Sequence, residues 1–105
     1  SGETPISVTN GYTLTNPTRF ASKPIIHIEA SNETISVSIG GKTITAEVTD
    51  YINIYCERLN AYRLPVENKN DKISGSFPTI PSGSNTIGIT GTYTKVEITP
   101  NWFSI

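Results

Sequence analysis

The sequence is short of the residue types on which many functions depend. Its 105 residues include no methionine, one cysteine, one histidine and one tryptophan. The single cysteine cannot form a disulfide within the chain, so the fold must depend on a packed core. Eight basic and nine acidic residues are scattered along the sequence, which argues against a nucleic-acid surface or an anionic membrane surface. No apolar run approaches the ~20 residues of a membrane span, and we expect no signal peptide.

The length predicts one domain, large enough for a single core. The chain starts at Ser1-Gly2, which is typical of a cloning scar. We expect residues 1–4 to be a tag remnant or linker, residues 5–105 to form one domain, and the whole to be a fragment of a longer protein.

Residues 34–48 show the alternation of a β-hairpin. The pair Gly40-Gly41 supplies the positive φ angles that a two-residue hairpin turn requires. With that turn, Val37 faces Ile44 and Ile35 faces Ala46, so all the apolar side chains share one side; a loop longer by one residue would set them against threonines. Pattern and register agree on the hairpin.

Residues 51–56 alternate in the same way, with Ile52, Ile54 and Cys56 on one side. An isolated hairpin is marginal in water, so its apolar face needs a second layer. The sequence therefore predicts an all-β fold, a two-layer antiparallel β-sandwich. The inward position of Cys56 favours a small buried hydrophobe over a reactive thiol.

Further strands, connections and loops follow from alternation and from glycine and proline. The predicted strands are 6–8, 12–14, 24–29, 61–64, 85–90 and 95–99; whether the first two form a hairpin stays open. Residues 65–72 are predicted to be a surface loop, and residues 91–94 a hairpin loop. The proline-rich segment 74–83 is predicted to run along the rim, with Phe77 and Ile80 closing one end of the sandwich; Trp102 is expected to pack over a sheet edge or against this rim.

The sequence gives little support for catalysis. A Ser-His-Asp or Cys-His arrangement would have to use His27, and no nucleophile-elbow motif occurs. Metal-ligating clusters and glycine-rich phosphate loops are missing as well. We therefore predict a protein that is not an enzyme, with no catalytic residues, no metal site and no cofactor.

Aromatic and amide side chains offer a different possibility, because exposed aromatic rings stack on sugar faces. The candidate residues for an interaction surface or a glycan contact are Tyr51, Asn53, Tyr55, Tyr62 and Tyr93. The structural alternative is that tyrosines at sheet edges half-bury their rings and keep their hydroxyls in water. The sequence leaves both open.

Four segments, taken in order, resemble one family. They are Asn16-Pro17-Thr18-Arg19-Phe20 with Lys23-Pro24-Ile25-Ile26, then Leu59-Asn60-Ala61-Tyr62, then the run from Ser74 to Ile87, and finally Val96 to Trp102. Together they are similar to the C-terminal domain of siphophage distal tail proteins. The chain departs from that pattern at Ser76, where an acidic residue is frequent, and at Phe103, where a basic one is.

The resemblance implies a galectin-like sandwich of the jelly-roll type that decorates a hexameric hub at the virion tail tip. It implies a phage or prophage virion protein, made in the bacterial host cytoplasm, whose partners are the tail tube, a tail fibre or a receptor-binding protein. The fragment itself is expected to be a monomer, without nucleic acid or membrane. The alternative function is a carbohydrate-binding module for host cell-wall polysaccharide. His27-Ile28-Glu29 does not reproduce the galectin sugar motif, so such a module would need another surface.

Overall fold

Strands make up most of the chain, and the predicted all-β class is confirmed. The structure, a computed structural model, describes residues 4–57, 59–63, 67–68 and 72–102, and gives only the backbone for residues 60, 62–63 and 67–68. In chain order the strands are β1 (Ile6–Val8), β2 (Thr13–Asn16), β3 (Ile25–Glu29), β4 (Glu33–Ile39), β5 (Lys42–Val48), β6 (Tyr51–Tyr55), β7 (Asn60–Arg63), β8 (Glu67–Asn68), β9 (Ile73–Gly75), β10 (Gly83–Thr86), β11 (Gly88–Thr90) and β12 (Lys95–Thr99).

The strands form three antiparallel sheets. The large sheet has the order β1-β12-β3-β6-β7-β8, and the small sheet has the order β11-β4-β5-β9. A third, two-stranded sheet pairs β10 with β2. Apolar side chains from all three sheets contribute to one buried cluster, as a sandwich requires.

The β4–β5 hairpin has the predicted register. Val37 pairs with Ile44, Ile35 pairs with Ala46, and Ile39 pairs with Lys42 across the turn. Gly40 and Gly41 have φ angles of 61° and 81°, the backbone conformation that this turn needs and that glycine adopts without steric cost.

The strand that follows the hairpin does not pair with it. β6 lies in the large sheet between β3 and β7. Its inward residues Ile52 and Ile54, at 1% and 0% exposure, belong to the same core as Val37 and Ile44 of the hairpin. The chain therefore crosses from one layer to the other at residues 49–50, and β6 supplies part of the second layer that the hairpin required.

The predicted single strand 85–90 is wrong. The chain pairs with β2 as β10, leaves the ladder at Ile87, and then pairs with β4 as β11. Both Ile87 and Ile89 are buried, as predicted. The inward alternation continues through the break, so periodicity alone could not show that the pairing partner changes.

The predicted hairpin loop 91–94 is also wrong, because β11 and β12 belong to different sheets. These residues instead form a crossover. At its start Gly91 has a φ of 104° and lies against β4, so that a Cβ atom there would be 2.5 Å from the carbonyl oxygen of Thr34. At its end the backbone N–H of Thr94 donates to the carbonyl of Glu29.

Two buried asparagines fix the rim. Nδ2 of Asn16 donates to the carbonyls of Phe20 and Ile80 at 2.8 and 2.9 Å, and its Oδ1 accepts from Thr18. Nδ2 of Asn85 donates to the carbonyl of Pro81 at 2.8 Å. These bonds satisfy backbone groups that a proline-rich segment cannot pair in a ladder.

The rim segment carries the side chains that the sequence assigned to the sandwich end. Ile80 is fully buried, whereas Phe77 and Trp102 are half-buried and pack against the core. The first residues of the segment belong to β9, which forms the edge of the small sheet beyond β5. The rim prediction holds for the proline-rich part alone.

Other boundaries differ more modestly from the predictions. The strand predicted at 12–14 is Thr13–Asn16. The strand predicted at 61–64 corresponds to Asn60–Arg63, and residue 64 lies outside the described residues. β1 pairs with β12 and not with β2. The predicted loop 65–72 contains the two-residue strand β8, and its residues 65–66 and 69–71 lie outside the described residues. No helix within the described ranges is long and apolar enough to cross a membrane.

Candidate functional site

The outward residues of the large sheet form the surface richest in chemically distinctive side chains. Alternation along β3, β6 and β12 buries one set of residues and turns the other set away from the core. We call this second set the outer face of the large sheet; it comprises Ile25, His27, Glu29, Tyr51, Asn53, Tyr55, Lys95, Glu97 and Thr99. All are half-buried except Lys95, which is exposed.

His27 lies at the centre of the outer face, because β3 lies between β6 and β12. Its Nδ1 lies 2.7 Å from Oδ1 of Asn53, its register partner on β6. Its Nε2 lies 2.8 Å from Oε2 of Glu29, two residues along the same strand. A histidine that donates from both nitrogens is the charged imidazolium. If the Asn53 amide turns over, its NH₂ donates to a neutral ring instead, so the network accommodates either charge state.

Neighbouring charges act on the carboxylate of Glu29. The hydrogen bond from His27 has the largest effect and lowers the pKa of Glu29. Desolvation opposes it, and the positive charges of His27 and Lys95 lower the pKa further. A second ion pair joins Lys95 and Glu97 at 3.8 Å. The outer face thus carries two acidic and two basic groups in a small area, without a large excess of either sign.

Three of the five predicted interaction residues lie together on this face. Tyr51, Asn53 and Tyr55 occupy alternate positions of β6. The ring of Tyr51 lies beside that of His27, with centroids 5.8 Å apart and planes tilted by 36°. Tyr55 pairs with Ile25 in the sheet. The amide of Asn53 therefore lies between two aromatic side chains on a continuous strand.

The structure separates Tyr93 from this group. Tyr93 lies in the crossover between β11 and β12, is half-buried against the core, and its hydroxyl accepts a 3.3 Å hydrogen bond from the backbone N–H of Asn10. Tyr93 therefore lies apart from the candidate residues of β6. The backbone of Tyr62 pairs with Asn53 in β7, while its side chain lies outside what the structure describes.

The one cysteine lies in the core. Cys56 is 2% exposed, and burial raises the pKa of its thiol to about 12, so it is a poor nucleophile near neutral pH. Among the described residues, no group of three or more histidine, cysteine or carboxylate side chains is placed to hold a metal ion.

Sequence reasoning missed the central pair of the outer face. Alternation places His27 and Glu29 on the same side of the predicted strand 24–29, but the candidate interaction residues did not include either of them. Their contact with Asn53 required the β3–β6 pairing, which joins residues 26 positions apart. The His-x-Glu spacing was the available signal.

Comparisons with known proteins add no relative to this description. No family model, curated protein or solved structure matches the chain.

Proposed function

We propose that the domain is a non-catalytic recognition module of a phage or prophage tail tip. Its outer face of the large sheet would be the surface that contacts a neighbouring tail protein. The tail-tip assignment is supported by the four sequence segments that resemble distal tail proteins. On this proposal the parent protein is a hexameric hub component of the virion, and the domain joins it to the tail tube, a tail fibre or a receptor-binding protein.

The hydrogen-bonded chain Asn53–His27–Glu29 is the observation that supports the choice of surface. Its two bonds of 2.7 and 2.8 Å hold three polar side chains in fixed positions across β3 and β6. Ordering these side chains before binding reduces the entropy that a partner would have to overcome. Tyr51 and Tyr55 flank the chain with half-buried rings, and tyrosine is enriched at protein interfaces.

The test is binding to the proteins encoded next to the parent gene. Each neighbour is immobilised, and the domain is compared with its Tyr51→Ser/Tyr55→Ser variant by biolayer interferometry. We expect one neighbour to bind and the variant to lose at least about tenfold in affinity, as for interface hot spots. A matched control, Ser36→Ala/Thr45→Ala, alters the outward side of the small sheet and should bind normally.

Two outcomes contradict this proposal in different ways. Equal binding by all three proteins would mean that the surface is wrong while the tail-tip role stands. A gene neighbourhood without tape-measure, fibre or endopeptidase genes, together with no binding to any neighbour, would reject the role itself.

A carbohydrate-binding module is the second candidate. The observation that favours it is the placement of Asn53 between Tyr51 and Tyr55, with Glu29 and His27 adjacent, since aromatic rings and planar polar groups are suited to sugar faces and hydroxyls. An array of cell-wall polysaccharides would reveal binding that Tyr55→Ala abolishes. Tyr12→Ala is the matched control, because Tyr12 is an exposed tyrosine outside this face.

A further inference from the structure

Four charged or chargeable side chains occupy neighbouring positions on the outer face of the large sheet. In the pairing of β3 with β12, His27 lies opposite Glu97 and Glu29 lies opposite Lys95. Acidic and basic side chains therefore alternate both along each strand and across the pair. We call these four residues the charged block.

The protonation of His27 sets the net charge of the charged block. Carboxylates and lysine ammonium groups keep their charges near neutral pH, whereas histidine changes charge between about pH 5 and 8. With an imidazolium at position 27 the block is neutral overall. With a neutral ring the two carboxylates of Glu29 and Glu97 have only the ammonium of Lys95 to balance them. The block then carries an excess negative charge.

The positions around the charged block do not alter this balance. Ser7 of β1 lies opposite Glu97, and the register partners of β6 on β7 are Asn60, Ala61 and Tyr62. Serine, asparagine, alanine and tyrosine carry no charge near neutral pH. Among the described residues, the titratable groups that face His27 are Glu29 on its own strand, Lys95 and Glu97 on β12, and Tyr51 and Tyr55 on β6.

The amide of Asn53 responds to the same protonation. Nε2 of His27 lies 2.8 Å from the carboxylate of Glu29, so this nitrogen keeps its proton in both charge states. Nδ1, which is 2.7 Å from Oδ1 of Asn53, then loses its proton when the ring becomes neutral. The Asn53 amide must turn over to donate to the bare Nδ1, and its oxygen then points away from the ring. Asn53 thus presents a donor when His27 is charged and an acceptor when it is neutral.

Both changes favour the same kind of partner group. An excess negative charge and an additional acceptor oxygen attract a cationic side chain that donates several hydrogen bonds. Arginine fits better than lysine, because its planar guanidinium has five N–H donors and also stacks on aromatic rings. Glu29 and Glu97 occupy diagonal positions on adjacent strands, and Tyr51 lies opposite Glu29 on β6. The face therefore offers carboxylates and an aromatic ring to one guanidinium.

We propose that the outer face of the large sheet binds a basic segment of its partner protein, with an arginine side chain on Glu29 and Glu97, while His27 is neutral. Protonation of His27 cancels the excess negative charge and turns the Asn53 donor toward the guanidinium, so the complex weakens in mild acid. This inference rests on the proposed function for its choice of surface. It adds the chemistry of the partner and the dependence of binding on pH.

The first experiment follows the His27 ring without any partner. His27 is the only histidine, so its ring nitrogen signals are unambiguous in the isotope-labelled domain. Above the titration we expect the remaining proton on Nε2, and the side-chain NH₂ signals of Asn53 should shift in the same titration. A neutral ring with its proton on Nδ1 would overturn the inference, because Asn53 would then present the same atom at every pH.

The second experiment titrates the domain with short capped peptides and follows backbone amide chemical shifts. The probes are acetyl-Gly-Arg-Gly-amide and its uncharged counterpart with citrulline in place of arginine, each at millimolar concentrations. We expect the arginine peptide alone to shift the amides of residues 27, 29, 95 and 97. Its affinity should be about threefold to tenfold lower at about pH 5.5 than at about pH 8, as for one added charge at a partly solvated site.

Three variants locate the effect. Glu97→Gln removes one of the two carboxylates and should weaken arginine-peptide binding about threefold to tenfold at about pH 8. Glu47→Gln is the matched control, because Glu47 is an exposed carboxylate on the small sheet, and it should bind as the unaltered domain does. His27→Gln removes the titrating group, so its affinity for the peptide should be the same at both pH values.

Four peptide results would overturn the inference. They are no shifts with the arginine peptide, equal shifts with the citrulline peptide, equal affinity of the unaltered domain at both pH values, and a pH dependence that persists in His27→Gln. Equal weakening by Glu47→Gln and Glu97→Gln would overturn it as well, since the peptide would then bind acidic side chains anywhere on the surface.

Binding of a neighbouring tail protein at the same two pH values separates this inference from the proposed function. Tail-protein binding that is lost in Tyr51→Ser/Tyr55→Ser but does not change with pH would overturn the inference and leave the proposed function intact. The expected peptide results without binding to any tail protein would support the chemistry of the surface and reject the tail-tip role.

Discussion

The two principal sheets share the same kind of interior but differ in what they present outward. On the small sheet the outward positions of the hairpin hold short hydroxyls, which pair across the strands as Ser36 with Thr45 at 2.8 Å and Ser38 with Thr43 at 2.6 Å. On the large sheet the corresponding positions hold a histidine, carboxylates and tyrosines. Inward residues are mostly isoleucine and valine in both. Burial is thus set by alternation, whereas the capacity for recognition depends on the outward residue types.

The largest expected effect tests whether the two sheets truly share one core. Ile54→Ala in the large sheet and Ile44→Ala in the small sheet each remove most of a side chain that is at most 1% exposed. Each should lower the free energy of unfolding by about 2–5 kcal/mol, through lost burial and a cavity. Urea unfolding followed by both fluorescence and circular dichroism measures this. Two separate transitions in either variant would show that the sheets unfold independently.

The crossover between the sheets comes next. In Gly91→Ala the new Cβ would lie 2.5 Å from the carbonyl oxygen of Thr34, and the alanine would have to adopt a φ of 104°. We therefore expect the free energy of unfolding to fall by about 2–3 kcal/mol. Gly41→Ala is the control, because its Cβ meets nothing within 4 Å and only the φ of 81° is unfavourable. Gly41→Ala should lower the free energy of unfolding by only ~1 kcal/mol. Thermal unfolding that ranks Gly41→Ala as the worse variant would contradict the described packing of the crossover.

A smaller effect should distinguish the charged face from the hydroxyl face. The pKa of Glu29 is lower in the folded state than its ordinary value of 4.5. The ionised carboxylate therefore stabilises the folded domain at pH values above 4.5, and this stabilisation is lost as the pH falls through the lower, folded-state pKa. Glu29→Gln should lower the free energy of unfolding by roughly 0.5 kcal/mol at neutral pH. The effect is small because the Glu29 side chain is 38% exposed, so solvent screens its ion pair with His27. The difference from the unaltered domain should disappear in acid.

Glu47→Gln provides the matched control for this pH dependence. Glu47 is exposed on the hairpin of the small sheet, and its carboxylate has no ion pair or hydrogen bond in the described ranges. Denaturant midpoints across the acid range should therefore be parallel for Glu47→Gln and the unaltered domain. A Glu29→Gln curve that behaves in the same way would remove the proposed electrostatic distinction between the two faces.

The smallest effect concerns the hydroxyl pairs. A double-mutant cycle of Ser36→Ala and Thr45→Ala should give a coupling of about 0.2–0.5 kcal/mol, as for polar cross-strand pairs at a solvated surface. Equilibrium unfolding of the four proteins measures it. A coupling above about 1 kcal/mol would mean that this face contributes more to stability than a solvated surface should.

Whether a strand pairing could be predicted from the sequence depends on how far apart the paired residues lie. The β4–β5 hairpin was predictable to the residue, because a two-residue turn and alternation determine the register together. The change of partner at Ile87 was not predictable, because alternation reports which side is buried and says nothing about the neighbouring strand. The crossover at 91–94 was missed for the same reason.

The candidate site shows the same limit. The shared direction of Tyr51, Asn53 and Tyr55 follows from period two within one strand. Their association with His27 depends on the β3–β6 pairing, and the separation of Tyr93 depends on the crossover. The structural role of Asn16 had a local signal, since asparagine before proline with Thr18 following is typical of a side-chain-stabilised turn. Its bond to Ile80, 64 residues away, had none.

The pairing of β1 with β12 has a consequence for how the domain can be joined to other chains. Ile6 lies opposite Ile98, so the polypeptide enters the first strand and leaves the last strand at the same end of the large sheet. A short linker between these two points would therefore leave every strand pairing intact. New termini could then be placed at the exposed turn around Asn32. Such a circular permutant should fold, and a host protein could receive the domain as an insertion in a single loop.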